Sequence, residues 1–219
     1  MERECPQAAA EVLGSLFERF PDLASCEVEV REAFGLIVGA FRAGRKLLAC
    51  GNGGSAADSE HVVGELMKSF RFKRQVDSGF RKAYREAIGE EVPEWLEGAL
   101  PAISLVSQTA LSTAFGNDEA AVGVFAQQVY GYGEAGDVLL AISTSGNSAN
   151  VVEAAKVARA KGVRVVALTG IRKSALSEIS DICVRVPREE VFQIQELHLP
   201  VYHALCAAAE AEMFGGANA

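Results

Sequence analysis

Apolar positions recur at helical spacing over residues 7–20 and again over 27–43. In the second stretch Val28, Val30, Ala33, Phe34, Ile37, Val38 and Phe41 mark the stripe that would be buried. The period then changes. KLLAC, ending at Gly51, is a short unbroken apolar run of the kind that forms a strand covered on both faces. A helix is predicted from about Ser55 to Phe70, a second apolar run is AISLV at 102–106, and helices are predicted over 107–115 and 119–132. After that the alternation is regular: DVLLAIST reads as a strand, NSANVVEAAKVARAKG as a helix and VRVVALTG as a strand. A short helix near 174–179 leads to the strand ICVRVP, and a long helix covers about 193–213. Strands alternating with helices imply an α/β protein whose parallel sheet is covered on both faces.

Residues 71–100 break this rhythm. They are highly charged, carry a weak helical signal near 79–88, and read as an insertion on the surface. The full length of 219 residues suits one large domain. At 49% hydrophobic and 23% charged the chain has an ordinary globular composition. A net charge of −8 argues against general binding to nucleic acid or anionic membrane. Cys5, Cys26, Cys50, Cys183 and Cys206 are odd in number, widely spaced and without a CxxC pair. That predicts free thiols, a reducing cytoplasmic location and no cysteine metal site. The N-terminal stretch carries early charge and no apolar core, so no signal peptide is expected, and no run is apolar for the ~18 residues of a membrane span.

Two strand-to-helix junctions carry candidate chemistry. In AISTSGNSANVVEAA, residues Ser143, Thr144, Ser145 and Ser148 supply four hydroxyls around Gly146 and Asn147. One would suffice to cap a helix. Four exceed that need, and a helix N-terminus at the end of a parallel strand attracts phosphate. GKS, GKT and GxGxxG are absent here, which argues against a nucleotide or dinucleotide loop. The other junction is GNGGSAADSEHVVGELMK, Gly51 to Lys68, a glycine-rich turn running into a helix. His61 and Glu65 share one face of that helix, a spacing that suits two metal ligands, a carboxylate beside an imidazole, or a solvated pair. The adjacent glycine turn shifts the balance from the last of these. The final helix holds Gln195, His198 and His203. Gln195 and His203 stand roughly 12 Å apart along the axis and about 80° apart around it, so they reach one metal only near their limits. A histidine on an apolar helix is more often a packed core residue, and Pro200 favours a kink.

Taken together, GNGGSAADSEH, LLAISTSGNSANVVEAA and IQELHLPVYHAL resemble the sugar isomerase (SIS) domain family, and most closely its phosphoheptose isomerases. The resemblance covers nearly the whole chain except 71–100. STSGNS marks SIS domains in general, and HxxxEL with QExHxxxxH is narrower. It implies a three-layer α/β sandwich with a central parallel sheet, spanning 1–219 as a single SIS domain. That domain has an N-terminal helical segment at 1–44, a long C-terminal helix and the charged insertion. It implies an enzyme converting sedoheptulose 7-phosphate into D-glycero-D-manno-heptose 7-phosphate through an enediol, as a homotetramer with active sites between subunits. Glu65 and His203 would be the acid/base pair. His61, Glu65, Gln195 and His203 would hold one Zn2+ per subunit. Asn52, Gly53, Gly54, Ser55, Asn117, Asp118, Ser143, Thr144, Ser145, Ser148 and Gln195 would line the sugar phosphate.

The residue types suit that chemistry: a carboxylate can take a proton from carbon, and a histidine can move protons between oxygens. Gathering all four metal ligands is easier if a neighbouring subunit supplies one helix, and the Ala- and Leu-rich HALCAAAEAEMF suits close helix packing. Two alternatives come from other classes: a non-catalytic SIS relative that binds the replication initiator, and a sugar-phosphate sensor. The presence of Glu65 and His203 favours an enzyme over the first. The acidic charge and lack of a DNA-binding segment count against the second. The chain departs from the family in the insertion and in Phe192 and Gln193, where an acidic residue often precedes the RIQE-like segment. Both departures bear on which phosphosugar is preferred.

Overall fold

The computed structural model describes residues 7–215; Cys5 and the first part of the N-terminal reading lie outside them. Two helices open the chain, α1 (Gln7–Arg19) and α2 (Glu27–Arg42), joined by a 3-10 turn at Pro21–Cys26. Strand β1 (Leu47–Cys50) leads into α3 (Gly54–Met67), and α4 (Ser78–Ile88) follows. Next come β2 (Ala102–Ser104), α5 (Thr109–Phe115), α6 (Val124–Tyr132), β3 (Val138–Ile142) and α7 (Ala149–Ala160). The remainder is β4 (Arg164–Thr169), α8 (Ala175–Ile179), β5 (Ile182–Arg185) and the long α9 (Val191–Phe214).

All five strands are parallel, in the order β2-β1-β3-β4-β5. Because strand side chains alternate in direction, the unbroken apolar runs fill two cores. Leu47, Ala49, Leu140 and Ile142 face α1, α2, α3 and α9, while Leu48, Cys50, Leu139 and Ala141 face α6, α7 and α8. This is a three-layer α/β sandwich with a central parallel sheet, as the resemblance implied. Cys50 lies opposite Ala141, so the turns that follow β1 and β3 start side by side. In a 2-1-3-4-5 sheet this is the point where the chain reverses its direction of winding, and ligands bind in such crevices.

Two segments differ from the sequence pattern. The helix expected over 119–132 begins late: Gly116–Ala120 is a π-helical turn and Ala121–Gly123 a 3-10 turn before α6. The insertion is not wholly superficial. Its helix α4 has no buried residue and is held by its caps, with Asp77 accepting from Phe80 N and Gly89 closing it at φ +80°. Upstream of α4, however, Arg74 is 1% exposed. Its guanidinium donates to the carbonyls of Leu66 (2.6 Å) and Glu65 (2.7 Å), which the end of α3 leaves without helical partners, and to Glu210 (2.8 Å) on α9. The fully buried Glu210 also accepts from Phe70 N and Arg71 N, both at 2.8 Å. Five hydrogen bonds, three accepted by the carboxylate and three donated by the guanidinium with one shared between them, satisfy charges that burial would otherwise make costly.

Candidate active site

The glycine turn after β1 works by close approach. Gly53 has φ +56°, a conformation that side chains disfavour. A Cβ on Gly51 would meet Ser55 backbone at 2.5 Å, and one on Gly54 would meet Gln195 Nε2 at 2.5 Å. Gln195, projecting from α9, therefore rests on the head of α3. Beside it, the loop after β3 turns at Gly146 (φ +66°), where a Cβ would collide with Ser174 Oγ at 2.0 Å. Ser143 and Ser148 hydroxyls lie 2.9 Å apart. Ser145 Oγ accepts from Asn147 N, and Asn147 Oδ1 accepts from Ala175 N. The two turns are tied together by Asn52 and Asn150, whose side-chain amides bond each other in both directions. Asn150 is a residue the sequence reading did not single out. Asn117 and Asp118 hydrogen-bond each other, exposed, in the π-helical turn.

A second cluster forms where α3 and α9 pack. His61 Nε2 is 3.2 Å from Glu65 Oε1 and 3.4 Å from His203 Nε2. Glu65 is held in place by α3 itself, and its side chain is 13% exposed. Its second oxygen accepts from Lys68 Nζ at 3.3 Å. Burial lowers the pKa of His203. The neighbouring His61 and Arg19 act the same way, and Glu65 opposes them. His203 also forms part of the wall of a groove of about 940 Å3 between α1 and α9, with Arg19, Phe20, Phe70 and Arg71. The three residues meet within one chain, so this cluster does not need the neighbouring helix that the ligand spacing led one to expect. The reason is the packing of α3 on α9 in the same subunit. Gln195 stands apart from it: Gly54, which it touches, is about 10 Å along α3 from His61, and among the described residues no hydrogen bond joins Gln195 to the three.

The donor types suit zinc, and separations of 3.2 and 3.4 Å match the roughly 3.3 Å edges of a tetrahedron with bonds near 2.0–2.1 Å. Among the described residues, though, no group of three or more His, Cys, Asp or Glu side chains is arranged to hold a metal ion. The fit is thus to two edges of a site, not to a complete set. His198, the third histidine, is a core residue, fully buried, with neither ring nitrogen in a well-formed hydrogen bond. Burial pushes its pKa down to about 4, offset in part by the Thr169 backbone.

The SIS domain family matches residues 93–170. Over 191 residues, 87% of this chain and 89% of the relative, the sequence is 40% identical to a phosphoheptose isomerase of Rhodospirillum rubrum. It is 36% identical to that of Akkermansia muciniphila over 206 residues, 94% and 96% of the two chains. The structure is similar to a phosphoheptose isomerase from Neisseria gonorrhoeae, with TM-score 0.71 and 32% identity over 92% of this chain and 96% of that one. One from Francisella tularensis gives 0.70 and 28% over 95% and 99%.

Proposed function

The chain belongs to the phosphoheptose isomerase family and is a phosphosugar isomerase, and from that premise we propose that it converts sedoheptulose 7-phosphate into D-glycero-D-manno-heptose 7-phosphate. The ketose has its carbonyl at C2. One proton leaves C1, an enediol forms, and a proton arrives at C2 as the carbonyl moves to C1. Glu65 is assigned as the base at carbon and His203 as the group that moves protons between the two oxygens, each worth a factor of roughly 100 to 10,000. The observation that best supports this is the meeting of a carboxylate and two imidazoles, Glu65, His61 and His203, within 3.2–3.4 Å steps.

Ser143, Thr144, Ser145 and Ser148 with the head of α7 are assigned to the phosphate. Asn52, Gly53, Gly54, Ser55 and Gln195, with Asn117 and Asp118, are assigned to the sugar chain. Binding energy at the phosphate end orients C1 and C2. His61, Glu65 and His203 would hold a Zn2+, which when bound would polarise substrate oxygens as a Lewis acid; Gln195, against Gly54 and apart from the three, is left to the sugar chain. The single-domain organisation over 1–219, the homotetramer with inter-subunit sites and a cytoplasmic location belong to the same proposal. The unpaired Cys26, Cys50, Cys183 and Cys206 support the last, since such thiols persist in reducing compartments. The test is incubation of the pure protein with sedoheptulose 7-phosphate, following the aldose C1 proton by NMR. Appearance of the aldose is expected. A folded protein that leaves the ketose unchanged overturns the assignment.

A further inference from the structure

Behind His61 lies a second pair of side chains that the reaction above does not use. Asp58 shares the face of α3 that carries His61 and Glu65, and Tyr202 precedes His203 on α9. Tyr202 is 1% exposed, so its hydroxyl has one available position. That hydroxyl is 3.1 Å from His61 Nδ1 and donates to Asp58 Oδ1 at 3.2 Å. The His61 ring meets the Tyr202 ring edge to face, with centroids 5.6 Å apart and planes at 73°, which fixes its tilt as well.

The direction of the protons follows from the donor inventory. Tyr202 donates to Asp58; burial raises the pKa of Asp58, while this bond and His61 act to lower it, and in its carboxylate form Asp58 only accepts. The phenolic oxygen is then left with lone pairs facing His61, and it can bond Nδ1 only if Nδ1 carries the hydrogen. A neutral His61 therefore has a bare Nε2. That bare nitrogen is the atom 3.2 Å from Glu65 and 3.4 Å from His203. A lone pair facing a carboxylate oxygen is stable only with a proton or a cation shared between them. The opposite tautomer would put the hydrogen on Nε2, towards Glu65, and leave Tyr202 with no donor for its oxygen.

We propose that Asp58 and Tyr202 form a positioning relay that fixes His61 as its Nδ1–H tautomer and aims Nε2, as a lone-pair donor, at the Glu65–His203 cluster. The relay rests on the isomerase reading of that cluster but is read out separately from it. With three histidines in the chain, 15N NMR of the full-length protein at about pH 8, where carboxylates are ionised, resolves each tautomer. It is run on the protein as purified and again after chelation. His61 with its hydrogen on Nδ1 in both samples is the expected result. A bare Nδ1, with the hydrogen on Nε2 alone, in either sample overturns the relay, whatever the isomerase assay shows.

Tyr202→Phe removes the hydroxyl and leaves the buried ring. After chelation His61 in this variant should lose its single tautomer, and Zn2+ retention against a competing chelator should fall roughly 10- to 100-fold, the usual effect of losing a residue behind a metal-binding histidine. kcat should fall by a similar factor with KM within about threefold. Retention, tautomer and kcat all within twofold of the parent overturn the proposal. Should the variant fail to fold, the parent's tautomer still decides it. A parent that takes up no Zn2+ sinks the metal assignment and leaves the tautomer result to judge the relay.

Discussion

Asn52 and Asn150 exchange two amide hydrogen bonds, 2.8 Å in one direction and 2.9 Å in the other. Asn52 stands in the turn after β1 and Asn150 in the first turn of α7, just past the loop after β3, so the pair locks the glycine turn to the hydroxyl loop. Asn150 Oδ1 also accepts from Val151 N at 3.0 Å in the first turn of α7. Both amides are partly open to water, and each such bond contributes only about 0.5–1.5 kcal/mol net. Asn150→Ala should therefore cost about 1 kcal/mol in urea unfolding, yet free Asn52 beside the substrate. KM for sedoheptulose 7-phosphate should rise about 3- to 30-fold with kcat within threefold, because positioning is lost and the reacting groups are kept. An unchanged KM would remove the pair from substrate positioning.

Glu65→Gln keeps the size of the side chain and removes the proposed base. The variant should fold, bind sugar phosphate and lose about two to four orders of magnitude in kcat. Steady-state rates within threefold of the parent would take Glu65 out of the role.

Arg74→Met leaves Glu210 buried without its countercharge. Breaking a buried pair on one side costs roughly 3–5 kcal/mol, whereas replacing both partners with apolar groups is far less harmful. Equilibrium unfolding should show that loss for Arg74→Met and a substantial recovery for Arg74→Met with Glu210→Leu. Equal losses in the single and double variants would mean that the pair does not act as a unit.

How far the sequence foretold this arrangement depends on the range of each interaction. LLAC, VLLAI and RVVALT were legible as strands because burial on both faces leaves an unbroken apolar run. His61 with Glu65, and the four hydroxyls around Gly146, were legible because helix and turn geometry act over a few residues. The pairs Arg74–Glu210 and Asp58–Tyr202 were not. They are 136 and 144 residues apart, and each residue alone looks like a solvated charge or a core aromatic. Arg74 was further disguised by its charged surroundings in 71–100. The π-helical turn at Gly116–Ala120 hid inside a pattern that reads as continuous helix.

His198 predicts a pH dependence of stability. Its pKa is about 4 when folded, against an ordinary value near 6.5. The unfolded chain then binds the proton more tightly than the folded one. The folded state is at no disadvantage above about pH 6.5 and loses stability as the pH falls from there towards 4. The full difference is roughly 3 kcal/mol, from about 1.4 kcal/mol per unit. Carboxylates also titrate in this window, so the informative quantity is the difference from His198→Leu. That variant should show a shallower decline in denaturant midpoint between pH 6.5 and 4, and little loss at neutral pH, where it removes an unpartnered polar ring. Parallel curves for the two proteins would contradict the buried neutral histidine.

The last prediction separates assembly from catalysis. Light scattering should give a mass near four times the 23.2 kDa of one chain, as the family resemblance implies. The groove between α1 and α9, with His203, Arg19 and Arg71 in its wall, is a surface a neighbouring subunit can close. The proposed reacting cluster follows a different rule, because Glu65, His61 and His203 meet inside one chain. Mixed tetramers of Glu65→Gln and His203→Ala subunits carry a defect in every cluster. Mixing the two inactive variants, unfolding and refolding them together, should accordingly restore no activity. Recovery towards a quarter of the parent's rate would mean that α3 and α9 meet across a subunit boundary in the assembled enzyme. A fully active monomer would defeat the shared groove and leave the cluster unaffected.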